Sequence, residues 1–292
     1  MTLAVTPLSS AVASAAAASL RDTIPPTAYM SLRVLQRSSE HPTRAPLHVG
    51  SLSRQRLVMH PPVLTIGERS AIETGSWFSR LSPSLREAIL SRAIVRRVAD
   101  GAILSARGAP AEDWCGVAHG AVRVSSVSLS GRQITLTYVE PGTWFGDIAL
   151  FDGMPRTHDA HAHGATTLLA VRRADFKLLL AQHVELYDAL LRLNCRRLRL
   201  LFDTVEDLNT LPLSARLAKQ ILLLARSYGV EHAGEIRVGL QLAQEDIAQL
   251  LGASRQRVNQ ELKGFEREGA VRIEPARLVV LSKDKLLAIA AG

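Results

Sequence analysis

A chain of 292 residues with 47% apolar content has room for two packed domains. No run of about 18 apolar residues occurs, which argues against a transmembrane helix and a membrane partner; two cysteines, Cys115 and Cys195, exclude a disulfide framework or a cysteine metal cluster and fit a cytoplasmic location. The net charge of +8 is compatible with a polyanionic partner, but residues 1–60 carry six Arg against one Asp and one Glu, so basicity is weak evidence for the rest of the chain.

Residues 1–69 read as an irregular, disordered leader rich in Ala, Ser and Pro, with Ala15 to Ala18 in a row and Pro25-Pro26 and Pro61-Pro62 as breakers. Met1 to Val5 has no basic side chain, so a secretory signal is not expected. The leader is expected to be an extension or the product of an upstream-assigned start, with a basic arm adding non-specific DNA affinity as the alternative.

Residues 70–182 read as one β-rich domain. Ser82-Pro83 predicts a helix to about Arg97 with Leu85, Ile89 and Val95 inward. Glycines then recur at 101, 108, 116, 120, 131, 142, 146 and 153, separated by alternating runs such as Gln133 to Tyr138. Many short strands with regular turns predict a sandwich or small barrel. Within it, Gly146 lets backbone approach a ligand, and the nearby amides of Ile148 and Ala149 can receive a phosphate. Arg156 supplies a fixed charge for that phosphate and Thr157 a hydroxyl. His161 and His163 share a strand face and form a candidate metal pair, but Gly164 to Val171 holds no carboxylate, so solvent-facing histidines are the expectation.

Residues 183–210 predict one long helix. Tyr187, Leu191, Asn194, Leu198, Leu201, Val205 and Leu208 alternate steps of four and three, a coiled-coil seam with Asn194 fixing register. A second stripe, Leu186, Leu190, Leu193 and Leu200, is expected to pack on the β domain. Two apolar faces imply two partners, the second being another copy of the chain.

Thr210-Leu211-Pro212 breaks that helix as a hinge and opens the last domain, residues 211–292. A helix from Ser214 to Tyr228 and a strand from Ile236 to Leu240 precede two short helices that meet at Gly252-Ala253. Ser254 caps the second, which is expected to run to Glu268 and stop at Gly269. Val258, Leu262 and Phe265 form its inward face; Arg255, Gln256, Asn259, Gln260 and Lys263 lie on an outward stripe. Arg pairs bidentately with guanine and Gln or Asn with adenine, so the stripe offers base-edge chemistry as well as attraction to phosphate. The run Val271 to Leu281 predicts a hairpin, with Arg272 and Arg277 placed to touch phosphate, and Ser282 caps a short final helix.

The segment Gly252-Ala253-Ser254-Arg255-Gln256-Arg257-Val258 and the following wing resemble the winged helix-turn-helix of the CRP/FNR family of bacterial transcription regulators. The glycine register at 101, 120, 142 and 146 resembles that family's β-roll, and Pro141 to Thr157 its phosphate-binding cassette. The resemblance implies an α+β architecture: an N-terminal double-stranded β-helix (β-roll) of the cyclic-nucleotide-binding type, a long dimerisation helix and a C-terminal winged helix-turn-helix. It implies a homodimeric regulator that binds double-stranded DNA at an inverted repeat and touches RNA polymerase, with no catalytic role. Ala243 replaces the usual Ser or Thr at the start of the first helix, and Gln256 and Gln260 replace charged residues, so the preferred operator is expected to differ. In the cassette Asp147 replaces the Glu that meets the ribose. At the positions that contact the base in cyclic-AMP-binding members stand Leu201 and Phe202, which cannot hydrogen-bond a base edge. The expectations are therefore a cyclic nucleotide, another small effector, or a vestigial cassette. A cupin-like metal enzyme using His161 and His163, and a sensor acting mainly through protein contacts, are the rival readings.

Overall fold

Thr65 opens the fold, because its hydroxyl and the Glu68 carboxylate cap one another. The Glu68 N–H donates to Thr65 Oγ1 (3.3 Å) and the Thr65 N–H donates to Glu68 Oε2 (2.7 Å), starting helix α1, Ile66–Thr74. The computed structural model describes residues 63–292 except Leu129. The leader expected over residues 1–69 lies outside the described residues up to 62, and α1 begins inside its last few positions. Glu68 then accepts from Arg97 Nη1 (2.5 Å), Arg97 Nη2 (2.9 Å) and Thr167 Oγ1 (2.7 Å), which pins α1 to the sheet behind it.

Ser82 caps helix α2, Pro83–Arg92, with its hydroxyl on the Leu85 N–H. The helix stops there rather than near Arg97. Ile94–Val98 is strand β1, antiparallel to a later strand, and Val95 is a strand residue. The β-branched pair Ile94-Val95 favours extended backbone over a further helical turn. Strands β2 (Ile103–Ser105), β3 (Asp113–Val127), β4 (Gln133–Val139), β5 (Trp144–Phe145) and β6 (Asp159–Arg172) complete an antiparallel six-stranded sheet. Its path is β1-β6-β3-β4, with β2 on β6 and β5 on β3. The two long strands pair through register shifts near His119, which let one ladder bend. An aromatic cluster of Trp77, Phe78, Trp114, Trp144 and Phe176 fills the core.

Short helix α3 (Ile148–Asp152) lies between β5 and β6, and α4 (Arg173–Gln182) leads into the long helix α5, Glu185–Thr210. Leu186 and Leu190 of α5 are buried on the sheet domain, as their stripe predicts. Leu200 departs from it and stays exposed. Past Pro212 come α6 (Leu213–Tyr228) and a second antiparallel sheet built from β7 (Gly229–His232), β8 (Glu235–Val238), β9 (Val271–Glu274) and β10 (Arg277–Val280), in the order β7-β8-β10-β9. Helices α7 (Gln244–Leu251), α8 (Arg255–Arg267) and α9 (Lys283–Ala290) pack on it. The core of this half reaches into the first: Tyr138 and Ala121 of the larger sheet are buried among its leucines. Between the halves, Arg132 Nη2 donates to Gly252 O (2.7 Å) and Thr135 Oγ1 to Gln249 Oε1 (3.1 Å).

Candidate nucleic-acid interface and ligand cavity

Helix α7 ends at Gly252, whose φ of 62° turns the chain in the left-handed region that glycine enters at little cost. Two residues later Ser254 Oγ accepts from the Arg257 N–H (3.3 Å) and starts α8. Val258, Leu262 and Phe265 are buried, so the opposite side of α8 is held outward by packing. Arg255, Gln256, Gln260 and Lys263 are exposed on that side. Asn259 is half-buried, because Gln244 Nε2 donates to its Oδ1 (3.1 Å). That bond occupies the Asn259 carbonyl oxygen and leaves its amide hydrogens as the end a partner can use. Gln244, the first residue of α7, thus joins the stripe. A polar residue at the first position of a helix carries no periodic signal, so sequence reasoning passed over it. Ala243 offers no capping hydroxyl; the Asp246 carboxylate accepts from its N–H instead (2.8 Å).

In the wing, Arg272 is ion-paired within the chain: its Nη1 and Nη2 donate to the two oxygens of Glu235 (2.8 and 2.6 Å), and its Nε lies 3.4 Å from Glu274. The Glu235 carboxylate holds the guanidinium still more firmly in its charged form, and Arg272 lowers the carboxyl of Glu235 in return. Arg277, beyond a turn in which Ala276 has φ 53°, stays exposed, and its side chain makes no hydrogen bond or ion pair among the described residues. It is the wing's available cation.

A second feature lies at the cassette, where Gly146, Asp147, Ile148, Ala149, Arg156 and Thr157 border a cavity of about 460 Å³. Gly146 has φ 91°, and a Cβ there would meet Arg156 Nη1 at 2.5 Å, so a side chain at 146 would displace the arginine. Arg156 Nη1 donates to Gly146 O (2.9 Å) and Nη2 to Asp113 O (2.5 Å). Its Nε is buried without a partner. Thr157 Oγ1 is hydrogen-bonded to His158 Nδ1 (2.9 Å), and burial pushes the His158 imidazole toward its neutral form, assisted by Arg107. Asp147, 1% exposed, receives Asn194 Nδ2 (2.8 Å) and Arg197 Nη1 (3.0 Å) from α5. Arg197 Nη2 also donates to the Trp144 carbonyl. The carboxylate is thus occupied by protein donors. Asn194 serves this contact and not the outward seam for which its spacing suggested it. Ile148 and Ala149 line the cavity at the start of α3.

Leu201 and Phe202 do not line the cavity; they are 57% and 63% exposed on the outer side of α5. Leu200 lines it instead, and the facing wall comes from α6. The histidines on β6 are partly covered rather than solvent-facing. His163 Nε2 contacts Gln241 O (2.6 Å) across the two halves, and His161 Nδ1 is buried without a partner. No set of three or more His, Cys, Asp or Glu side chains is placed to hold a metal among the described residues.

Residues 95–183 match the cyclic nucleotide-binding domain and residues 215–289 the Crp-like helix-turn-helix domain. The chain is 33% identical over 186 residues, 64% of its length, to a CRP-like cAMP-activated global transcriptional regulator of Mycobacterium tuberculosis, covering 83% of that protein. It is 32% identical to the cyclic AMP receptor protein of Thermus thermophilus, over 60% of this chain and 78% of that one. Among solved structures, a CRP-family transcriptional regulator from Thermus thermophilus matches with a TM-score of 0.58 at 27% identity, over 68% of this chain and 97% of that one.

Proposed function

The chain belongs to the CRP/FNR family of DNA-binding transcription regulators, and from that membership we propose that it acts as a homodimer on an inverted-repeat operator under the control of a small effector. It is a regulator, not an enzyme. One observation carries the DNA-contact assignment: α8 buries Val258, Leu262 and Phe265 and exposes Arg255, Gln256, Gln260 and Lys263, a side-chain set that reads base edges from a major groove. Leu191, Leu198, Leu201, Val205 and Leu208 are exposed along α5, and a second copy of α5 would bury them. Two-fold symmetry about that helix sets two α8 helices into successive major grooves, with half-sites one helical turn apart.

The effector site is the cavity beside Arg156, with Gly146, Asp147, Ile148, Ala149 and Thr157 around the anionic end. The cAMP-activated relatives make a cyclic nucleotide the first effector to try. The bound dimer then contacts RNA polymerase in the cytoplasm. No helix among the described residues is long and apolar enough to cross a membrane. A second reading, an effector-independent regulator with the cassette kept for folding, draws support from the saturated Asp147.

Selection of bound DNA from a random pool, with and without cyclic AMP, tests the proposal. The expected product is an inverted repeat whose half-site centres lie about 34 Å apart. Enrichment of a lone half-site, or none, overturns it. The same repeat enriched equally with and without any effector selects the second reading.

A further inference from the structure

The cavity has two walls that belong to different halves of the chain. One is the cassette, with Arg156. The other is α6, the first helix of the DNA-reading half. Gln220, Leu223, Leu224 and Ser227 stand at i, i+3, i+4 and i+7 and form one stripe of that helix facing the cavity. The other face of α6, with Leu217, Ile221 and Ala225, is buried in the DNA-reading core, and Leu224 belongs to that core as well as to the cavity lining. That core does not claim Leu223, which is 43% exposed and borders the cavity.

We propose that this stripe of α6 is the specificity wall of the effector site, so that a bound ligand is held between Arg156 and the DNA-reading half of the same chain. The proposal rests on the effector reading above and adds where and by what the ligand is recognised. Asp147 is satisfied by Arg197 and Asn194 and has no free oxygen face to offer a sugar hydroxyl. Leu201 and Phe202 point away from the cavity. Beside the anion site the lining includes the apolar side chains Leu200, Leu223 and Phe145 and, on α6, the polar side chains Gln220, Arg226 and Ser227. The ligand class is a small monoanion with a flat apolar body. A cyclic purine nucleotide and an aryl acid both have that chemistry.

Such a ligand touches α6 only in the arrangement that closes the cavity. Its binding energy therefore favours that placement of the DNA-reading half over any in which α6 has swung away.

Two probes separate the sources: cyclic AMP and anilinonaphthalene sulfonate, each titrated into the full chain by calorimetry. The wild-type chain is expected to bind at least one of them at one site per protomer. Leu223→Glu sets a charged carboxylate against the apolar body of the ligand and is expected to weaken binding about tenfold or more. Arg156→Gln is expected to do the same from the other wall, whereas Leu287→Glu, exposed on α9 and outside the cavity lining, leaves ligand affinity unchanged. Hydrogen exchange at residues 220–228 is expected to slow on binding. Unchanged melting and unchanged affinity for random DNA show that Leu223→Glu has folded. Loss of binding in Arg156→Gln with wild-type binding in both Leu223→Glu and Gln220→Ala overturns the α6 wall and leaves the effector reading standing. Absence of binding by either probe to the wild-type chain overturns the effector reading and the inference with it.

Discussion

Arg255 and Lys263 differ in chemistry although both are cations exposed on one stripe of α8. Arg255 follows the cap directly, at the end of the helix that the proposed docking sets into a groove, where its fork could meet guanine O6 and N7 together. Lys263 lies more than two turns further on and carries a point charge suited to phosphate. Arg255→Ala is expected to weaken operator binding by about 1–3 kcal/mol while changing random-DNA binding little. Lys263→Ala is expected to weaken both alike and to lower the salt slope by about 1. Fluorescence anisotropy on both DNAs across a salt series checks the pair; equal losses for Arg255→Ala on the two DNAs would make it a phosphate contact. These residues were legible because a cap, an apolar stripe and a polar stripe all report local helical geometry. Arg272 was not: its partner Glu235 is 37 positions away and reaches it only through pairing of β8 and β10, and of β10 and β9.

At the scale of elements, α5 and α1 show two ways a helix is held. The outward seam of α5 leaves several leucines in water, an arrangement that the proposed second copy would relieve. Leu198→Glu places a charge against its symmetry mate and is expected to shift the chain from dimer to monomer in sedimentation velocity. A variant that still sediments as a dimer removes α5 as the contact. For α1 the anchor is ionic. Arg97 holds the Glu68 carboxyl far below its usual range, opposed by burial and helped by Thr65 and Thr167. A depressed folded-state value means stability that is present above the unfolded value of about 4.3 and lost as pH falls below it. Glu68→Gln is expected to lower the melting temperature at pH 7 and to flatten its decline under acid; an acid limb as steep as wild type assigns the loss to other carboxylates. Periodicity located α5 to within a few residues at each end. The start of α1 fell in a stretch whose composition suggested disorder, since a capping box adds little to composition. The end of α2 was misplaced because Ile94 to Val98 fits a strand as well as a helix, and only the pairing with β6 decides.

Across the whole molecule, the two halves share side chains. Tyr138, on the β4 strand of the first half, is buried among the leucines of the second. Its carbonyl accepts from Tyr228 Oη (3.3 Å), and its ring meets His163 edge-on at 4.9 Å. The alternating pattern of Gln133 to Tyr138 placed this residue on a strand but could not say which core it enters, because that contact spans some 90 positions of chain. A shared core predicts that the halves melt together. Tyr138→Ala removes an aromatic ring that both sides touch, at a cost of about 3 kcal/mol. Most of that loss falls on the coupling between halves, since each keeps the rest of its own core. Calorimetry of the wild-type chain is expected to show one transition and of Tyr138→Ala two, with the DNA-reading half still binding random DNA after the first. A single transition shifted bodily downward in the variant would place Tyr138 in the stability of one half alone.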